Sequence, residues 1–147
     1  MQLRERLTAE MKEAMKSRDA LRLSTIRGIL SSVKNRDIEL RRELTDPEIT
    51  ETIVTLCKQR RESIRLFKEA GRQELVDKEE AELALLLGFL PQQLTRQELE
   101  SLVDQAITET SATSGKDMGK VMKALQASVS GRADGKLVSE VVKEKLA

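Results

Sequence analysis

The sequence predicts an all-α protein, a multihelical N-terminal bundle followed by a small C-terminal three-helix domain. Three observations carry this reading. Apolar residues recur at spacings of three and four along almost the whole chain, the period of one helix face. Thr45-Asp46-Pro47-Glu48 and Thr95-Arg96-Gln97-Glu98 both have the S/T-x-x-E form of a capping box, each with a leucine just before it. No stretch alternates apolar and polar residues long enough to read as a strand.

The elements follow in order. Leu3, Leu7, Met11 and Met15 set a first helix to about Ser17, and Arg18-Asp19 breaks it. Leu23, Ile26, Leu30 and Val33 open a new face that runs towards Leu40, with Arg22, Arg27, Lys34 and Arg36 on the solvent side. A third helix starts at the Thr45/Glu48 box, where Pro47 lies in the first turn and Leu44 can staple onto Ile49. Its face is Ile49, Ile53, Leu56, Ile64 and Phe67, and Gly71 stops it. Arg60 stands on that face in place of an apolar residue, with its stem expected to cover apolar surface and its head to reach water or a carboxylate. The fourth helix, Gln73 to Gly88, begins acidic and turns leucine-rich, and Pro91 ends the bundle. Domains are therefore expected at residues 1–91 and 92–147. Leu99, Leu102, Val103, Ala106 and Ile107 make the fifth helix, and residues 108–113 a polar link. Ser114 with Asp117 opens the sixth helix, and the last carries Leu137, Val138, Val141, Val142 and Leu146.

Composition narrows the chemistry. The 147 residues include no histidine, tryptophan or tyrosine and one cysteine. The usual general base, triad partner and imidazole metal ligand are therefore missing. Cys57 sits mid-helix without a partner that would favour a thiolate, so packing is its expected role. The acids of the fourth helix suit a helix N-terminus and no ligand loop follows them, so no metal or other cofactor is expected. No apolar run approaches spanning length and the first fifteen residues are charged and amphipathic. A cytoplasmic protein with no membrane partner is expected. The net charge of +1 is unevenly spread: residues 1–71 carry four more basic than acidic side chains, 72–110 six fewer, and 111–147 three more. Basic ends are compatible with nucleic-acid contact.

No motif supports catalysis, and no catalytic residue is assigned. The most function-like arrangement is Gly131-Arg132-Ala133-Asp134-Gly135-Lys136, which places two cations around the start of the final helix, where free N–H groups and the helix dipole favour an anion. The same residues also read plainly as structure: Gly131 stops one helix, Asp134 caps the next, and Arg132 and Lys136 are solvated.

Several segments together resemble the YqeY-like proteins, whose C-terminal part is similar to the tail domain of the GatB subunit of the glutamine-dependent aminoacyl-tRNA amidotransferase. These are Leu23-Ser24-Thr25-Ile26-Arg27 with Val33-Lys34-Asn35-Arg36; Arg60-Arg61-Glu62-Ser63-Ile64 with Phe67-Lys68 and Gly71-Arg72; Lys78-Glu79-Glu80-Ala81-Glu82; Leu90-Pro91-Gln92-Gln93-Leu94; and Asp117-Met118-Gly119-Lys120-Val121-Met122 followed by Gly131 to Lys136. The resemblance implies a non-catalytic accessory module that binds tRNA or another RNA, with Gly119, Lys120, Gly131, Arg132 and Lys136 as its nucleic-acid contacts and Asp134 as a further matched position. Its alternative implication is a protein-interaction module of an amidotransferase-like complex. The synthetic cradle domain and the amidase serine–lysine signature are absent from the sequence. Carbon–nitrogen ligase activity with glutamine as amido-N-donor would then belong to such a complex, and none is expected of the chain alone.

Overall fold

Seven α-helices build the protein in a computed structural model that describes residues 2–147: α1 (Leu3–Ser17), α2 (Ala20–Leu40), α3 (Asp46–Glu69), α4 (Gln73–Leu87), α5 (Arg96–Thr110), α6 (Met118–Val129) and α7 (Gly135–Leu146). Among the described residues there is no strand, and the all-α expectation holds. Contacts within the chain divide it into two compact units, one reaching to Leu90 and the other from Pro91 to Ala147.

Both capping boxes close. The Thr45 hydroxyl accepts from Glu48 N–H, and Glu48 Oε1 accepts from Thr45 N–H at 2.9 Å. Thr95 and Glu98 repeat the exchange at 3.1 Å in each direction. Two of the four N–H groups that open any helix are thereby satisfied, and the chain's entry angle is fixed.

In the first unit α1 pairs with α2 and α3 with α4, and Leu7, Ile26, Ile29, Val33, Ile49, Ile53, Leu86 and Phe89 fill the space between them. Leu44 and Ile49 are both buried in this core, as the staple requires. Arg6 ties α1 to the end of α4: its guanidinium lies 4.8 Å above the Phe89 ring and donates to Gly88 O at 2.9 Å. Arg4 grips Asp37 with two bonds of 3.0 and 2.9 Å, and Leu44 N–H donates to the same carboxylate at 2.8 Å. Arg60 sits against Glu82 and Glu79 of α4, its Nε at 2.8 and 3.5 Å. The angles are poor, which leaves Arg60 Nε and Glu79 Oε2 buried without a hydrogen bond. The cluster acts as an ion pair at the α3–α4 seam.

The second unit packs α5, α6 and α7 around Leu99, Val103, Val121, Leu125, Val138, Val141 and Val142. Here the structure departs from the expected polar link. α5 continues to Thr110, with the Thr108 and Thr110 hydroxyls donating to Asp104 O and Ala106 O, and Ser111 ends the helix in the left-handed region at φ 55°, where Ala112 N–H donates to Ile107 O. Nor do Ser114 and Asp117 form a capping box. The Ser114 hydroxyl accepts from Lys116 N–H, while Asp117 accepts from Thr113 N–H at 2.9 Å, which makes a 3₁₀ turn, Gly115–Asp117, ahead of α6.

Candidate functional site

The turn between α6 and α7 is built from backbone bonds. Ser130 N–H donates to Gln126 O, and Arg132 and Ala133 N–H donate to Val129 O, which closes the end of α6. Gly131 adopts φ +72°, a conformation that glycine enters without a side-chain penalty. Asp134 then caps α7, its carboxylate accepting from Lys136 N–H at 3.3 Å. The positive end of the helix dipole already holds an anion, the protein's own.

Arg132 is occupied. Its Nε donates to Gln92 O and its Nη1 to Ser128 O, both at 3.3 Å. Its carbonyl accepts from Leu94 N–H at 2.8 Å, and the Gln93 side chain donates to Gly131 O at 2.8 Å. The turn is thus laced to residues 91–94, and Arg132 is half-buried there as a clamp. A shallow groove of about 310 Å³ lies alongside, lined by Leu94, Glu98, Ser101, Leu102, Gln105 and Arg132. The Thr95 backbone N–H, then its hydroxyl and the Arg132 charge, hold the Glu98 carboxyl below the usual carboxylate range.

The structure separates the five expected contact residues into two groups. Gly131, Arg132 and Lys136 lie at the α6–α7 turn, with Lys136 exposed and, among the described residues, in no ion pair with a carboxylate. Gly119 and Lys120 lie in the first turn of α6, at its other end, about 15 Å along the axis at 1.5 Å per residue. Both are exposed, and among the described residues the one carboxylate paired with Lys120 is Asp117, at 4.0 Å. A Cβ on Gly119 would meet nothing within 4 Å.

Burial defines what the chain can do chemically. Cys57 is 1% exposed, inside the first core, where attack on a bound substrate is closed to it. Among the described residues no helix is long and apolar enough to cross a membrane. A further feature escaped the sequence reading: from Met118 to Ala133 there is no carboxylate, and Lys120, Lys123 and Arg132 are the charged residues. The signal lay in the one-letter string, but the charge was summed over a longer block that hid it.

The protein-family model described as Yqey-like protein matches residues 4–146. A protein of Pyrenophora tritici-repentis named altered inheritance of mitochondria protein 41, mitochondrial, is 34% identical over 145 residues, which is 95% of this chain and 78% of that protein. Proteins of the same name from Lachancea thermotolerans and Kluyveromyces lactis are 33% and 35% identical over 70% of this chain. The chain spans 57% of the length of each of those two. These relatives overturn the cytoplasmic expectation, since each is named as a mitochondrial protein. With nearly its full length matched, this chain belongs to the YqeY-like protein family.

Proposed function

We propose that the chain is a non-catalytic accessory module that binds tRNA or another folded RNA through α6. One observation carries the reading: α6 and the turn after it hold three cations and no carboxylate, although the unit from Pro91 to Ala147 contains as many acidic as basic side chains. The acids are gathered elsewhere, chiefly on α5, whose Glu100 and Asp104 pair with Arg96 and Lys145. A helix stripped of acids inside a neutral unit suits a phosphate backbone, because each Lys–phosphate contact releases a counterion. Gly119, exposed beside Lys120, leaves room for a backbone to come close. Lys120 and Lys123 are the main phosphate contacts, Lys136 extends them, and Gly131 and Arg132 serve by shaping the turn.

The test is tRNA binding by fluorescence anisotropy across a salt series. Replacing Lys120 and Lys123 together by alanine is expected to weaken binding roughly tenfold or more at 0.1 M salt and to lower the salt slope by about two. Arg132→Ala is expected instead to lower the melting temperature while leaving the salt slope unchanged. An unchanged affinity and slope in the Lys120/Lys123 variant would remove α6 as the site. Salt-insensitive capture of one protein, with no RNA in the eluate, would favour the competing reading of an interaction module in an amidotransferase-like complex.

A further inference from the structure

The arginines of this protein divide sharply by partner. Of the fourteen, Arg4, Arg6, Arg22, Arg42, Arg60, Arg65, Arg72 and Arg96 hold carboxylates. Arg61 is also engaged, and Arg132 bonds backbone carbonyls. The four that remain, Arg18, Arg27, Arg36 and Arg41, all lie on α2 or within two residues of its ends, and all are exposed. Where every other arginine found an internal use, these have none among the described residues.

The pattern on α2 is regular. Ser24, Arg27, Ser31, Lys34, Ile38 and Arg41 follow one another at intervals of three and four, so they form one stripe opposite the face that buries Ile26, Ile29 and Val33. From Ala20 to Arg36 there is no carboxylate. Of the nearest acids, Asp19 caps α2 through Arg22 N–H and Asp37 is held by Arg4 and Leu44 N–H, while Glu39, exposed in the last turn of α2, lies outside the stripe. Arg27, Lys34 and Arg41 stand seven residues apart, about 10 Å at each step, so each can engage a separate phosphate.

Gly28 supplies an independent observation. It sits in the interior of α2 beside Arg27, is exposed, and a Cβ there would meet nothing within 4 Å. Glycine inside a helix weakens it relative to alanine, and no packing within the chain requires one here. The missing side chain leaves the α2 backbone open to close approach at this point.

We propose that this outer face of α2 is a second nucleic-acid contact surface, which takes the phosphodiester backbone on Arg27, Lys34 and Arg41 with Gly28 as the point of close approach. The serine hydroxyls beside the cations donate to phosphate oxygens, a contact that positions a strand without reading its bases. The surface shares its ligand class with the proposed function but lies on the other unit, so the two stand or fall separately.

The experiment uses the full chain and three labelled probes: a tRNA transcript, a single-stranded RNA and a DNA duplex. Arg27→Ala with Lys34→Ala is expected to weaken binding roughly tenfold or more at 0.1 M salt and to lower the salt slope by about two, with an unchanged helical signal. Gly28→Gln separates binding from folding, since it is expected to raise the melting temperature and yet weaken binding. Comparable losses on RNA and DNA identify backbone recognition, and a loss confined to tRNA identifies a folded RNA as the source. The Lys120/Lys123 variant is measured in parallel. Loss in the α2 variants alone supports this surface and removes the α6 site, while loss in the α6 variant alone does the reverse. Wild-type affinity and slope in both α2 variants would overturn the proposal. So would binding to anionic phospholipid vesicles with no binding to any nucleic acid.

Discussion

Carboxylates that accept from backbone N–H groups recur at the joints of this chain. Asp37 takes two bonds from Arg4 and one from Leu44 N–H where α2 turns into α3, and these hold its carboxyl below the usual range. Glu48, bonded first by Arg42 and then by Thr45, is lowered to about 2. Glu98 is lowered by Thr95, and Asp117 by Thr113 N–H. Each is more acidic folded than unfolded, so its contribution to stability is present above the unfolded value of about 4 and is lost as the pH falls towards the folded one. The absence of histidine removes the group that ordinarily titrates near pH 6.5. The urea midpoint is therefore expected to stay level between pH 5 and 7 and to fall between about pH 4 and 2. A step near pH 6.5, or a midpoint that rises on acidification, contradicts the assignment. Contacts of single residues across the chain were the least legible in the sequence. Arg132 reads as a solvated cation or a phosphate ligand, and its donation to the carbonyls of Gln92, forty positions away, and of Ser128 leaves no trace in local spacing.

Elements were the most legible scale, because what makes a helix here is local. The 3–4 periodicity of Leu3, Leu7, Met11 and Met15 and the S/T-x-x-E boxes place α1, α3 and α5 within a residue or two of their starts. The misjudged end of α5 is local too: the left-handed stop falls at Ser111, closed by Ala112 N–H on Ile107 O, and the threonines before it read as a polar link although their backbone is helical. The relation between elements was less legible. Gly119 and Gly131 belong to one motif string, yet Gly119 lies in the first turn of the twelve-residue α6 and Gly131 just past its other end. The capping boxes offer the direct check. Thr45→Ala and Thr95→Ala should each cost about 1 kcal/mol by chemical denaturation. Serine at either position should restore most of it, and alanine variants as stable as the wild type would show that the boxes do not anchor their helices.

At the scale of the whole molecule, two small helical cores each carry one long acid-free stretch of helix, Ala20 to Arg36 of α2 in the first unit and α6 in the second. Block-wise charge along the sequence blurs this, since the acidic block 72–110 joins α4 of one unit to α5 of the other. Grouped by unit, the charges nearly cancel, at one excess basic residue up to Leu90 and none from Pro91 onward. Specific cationic faces, and not bulk charge, therefore underlie the RNA-binding account. That account is tested most directly by titrating the intact chain against a labelled tRNA transcript over a range of salt. With Lys120 and Lys123 on α6 and Arg27, Lys34 and Arg41 along α2 and at its C-terminal cap, the logarithm of the association constant should fall linearly with the logarithm of salt, with a slope of roughly −3.5 to −4.5 if all five engage phosphate. Binding that does not respond to salt, or no binding at low salt, would contradict it.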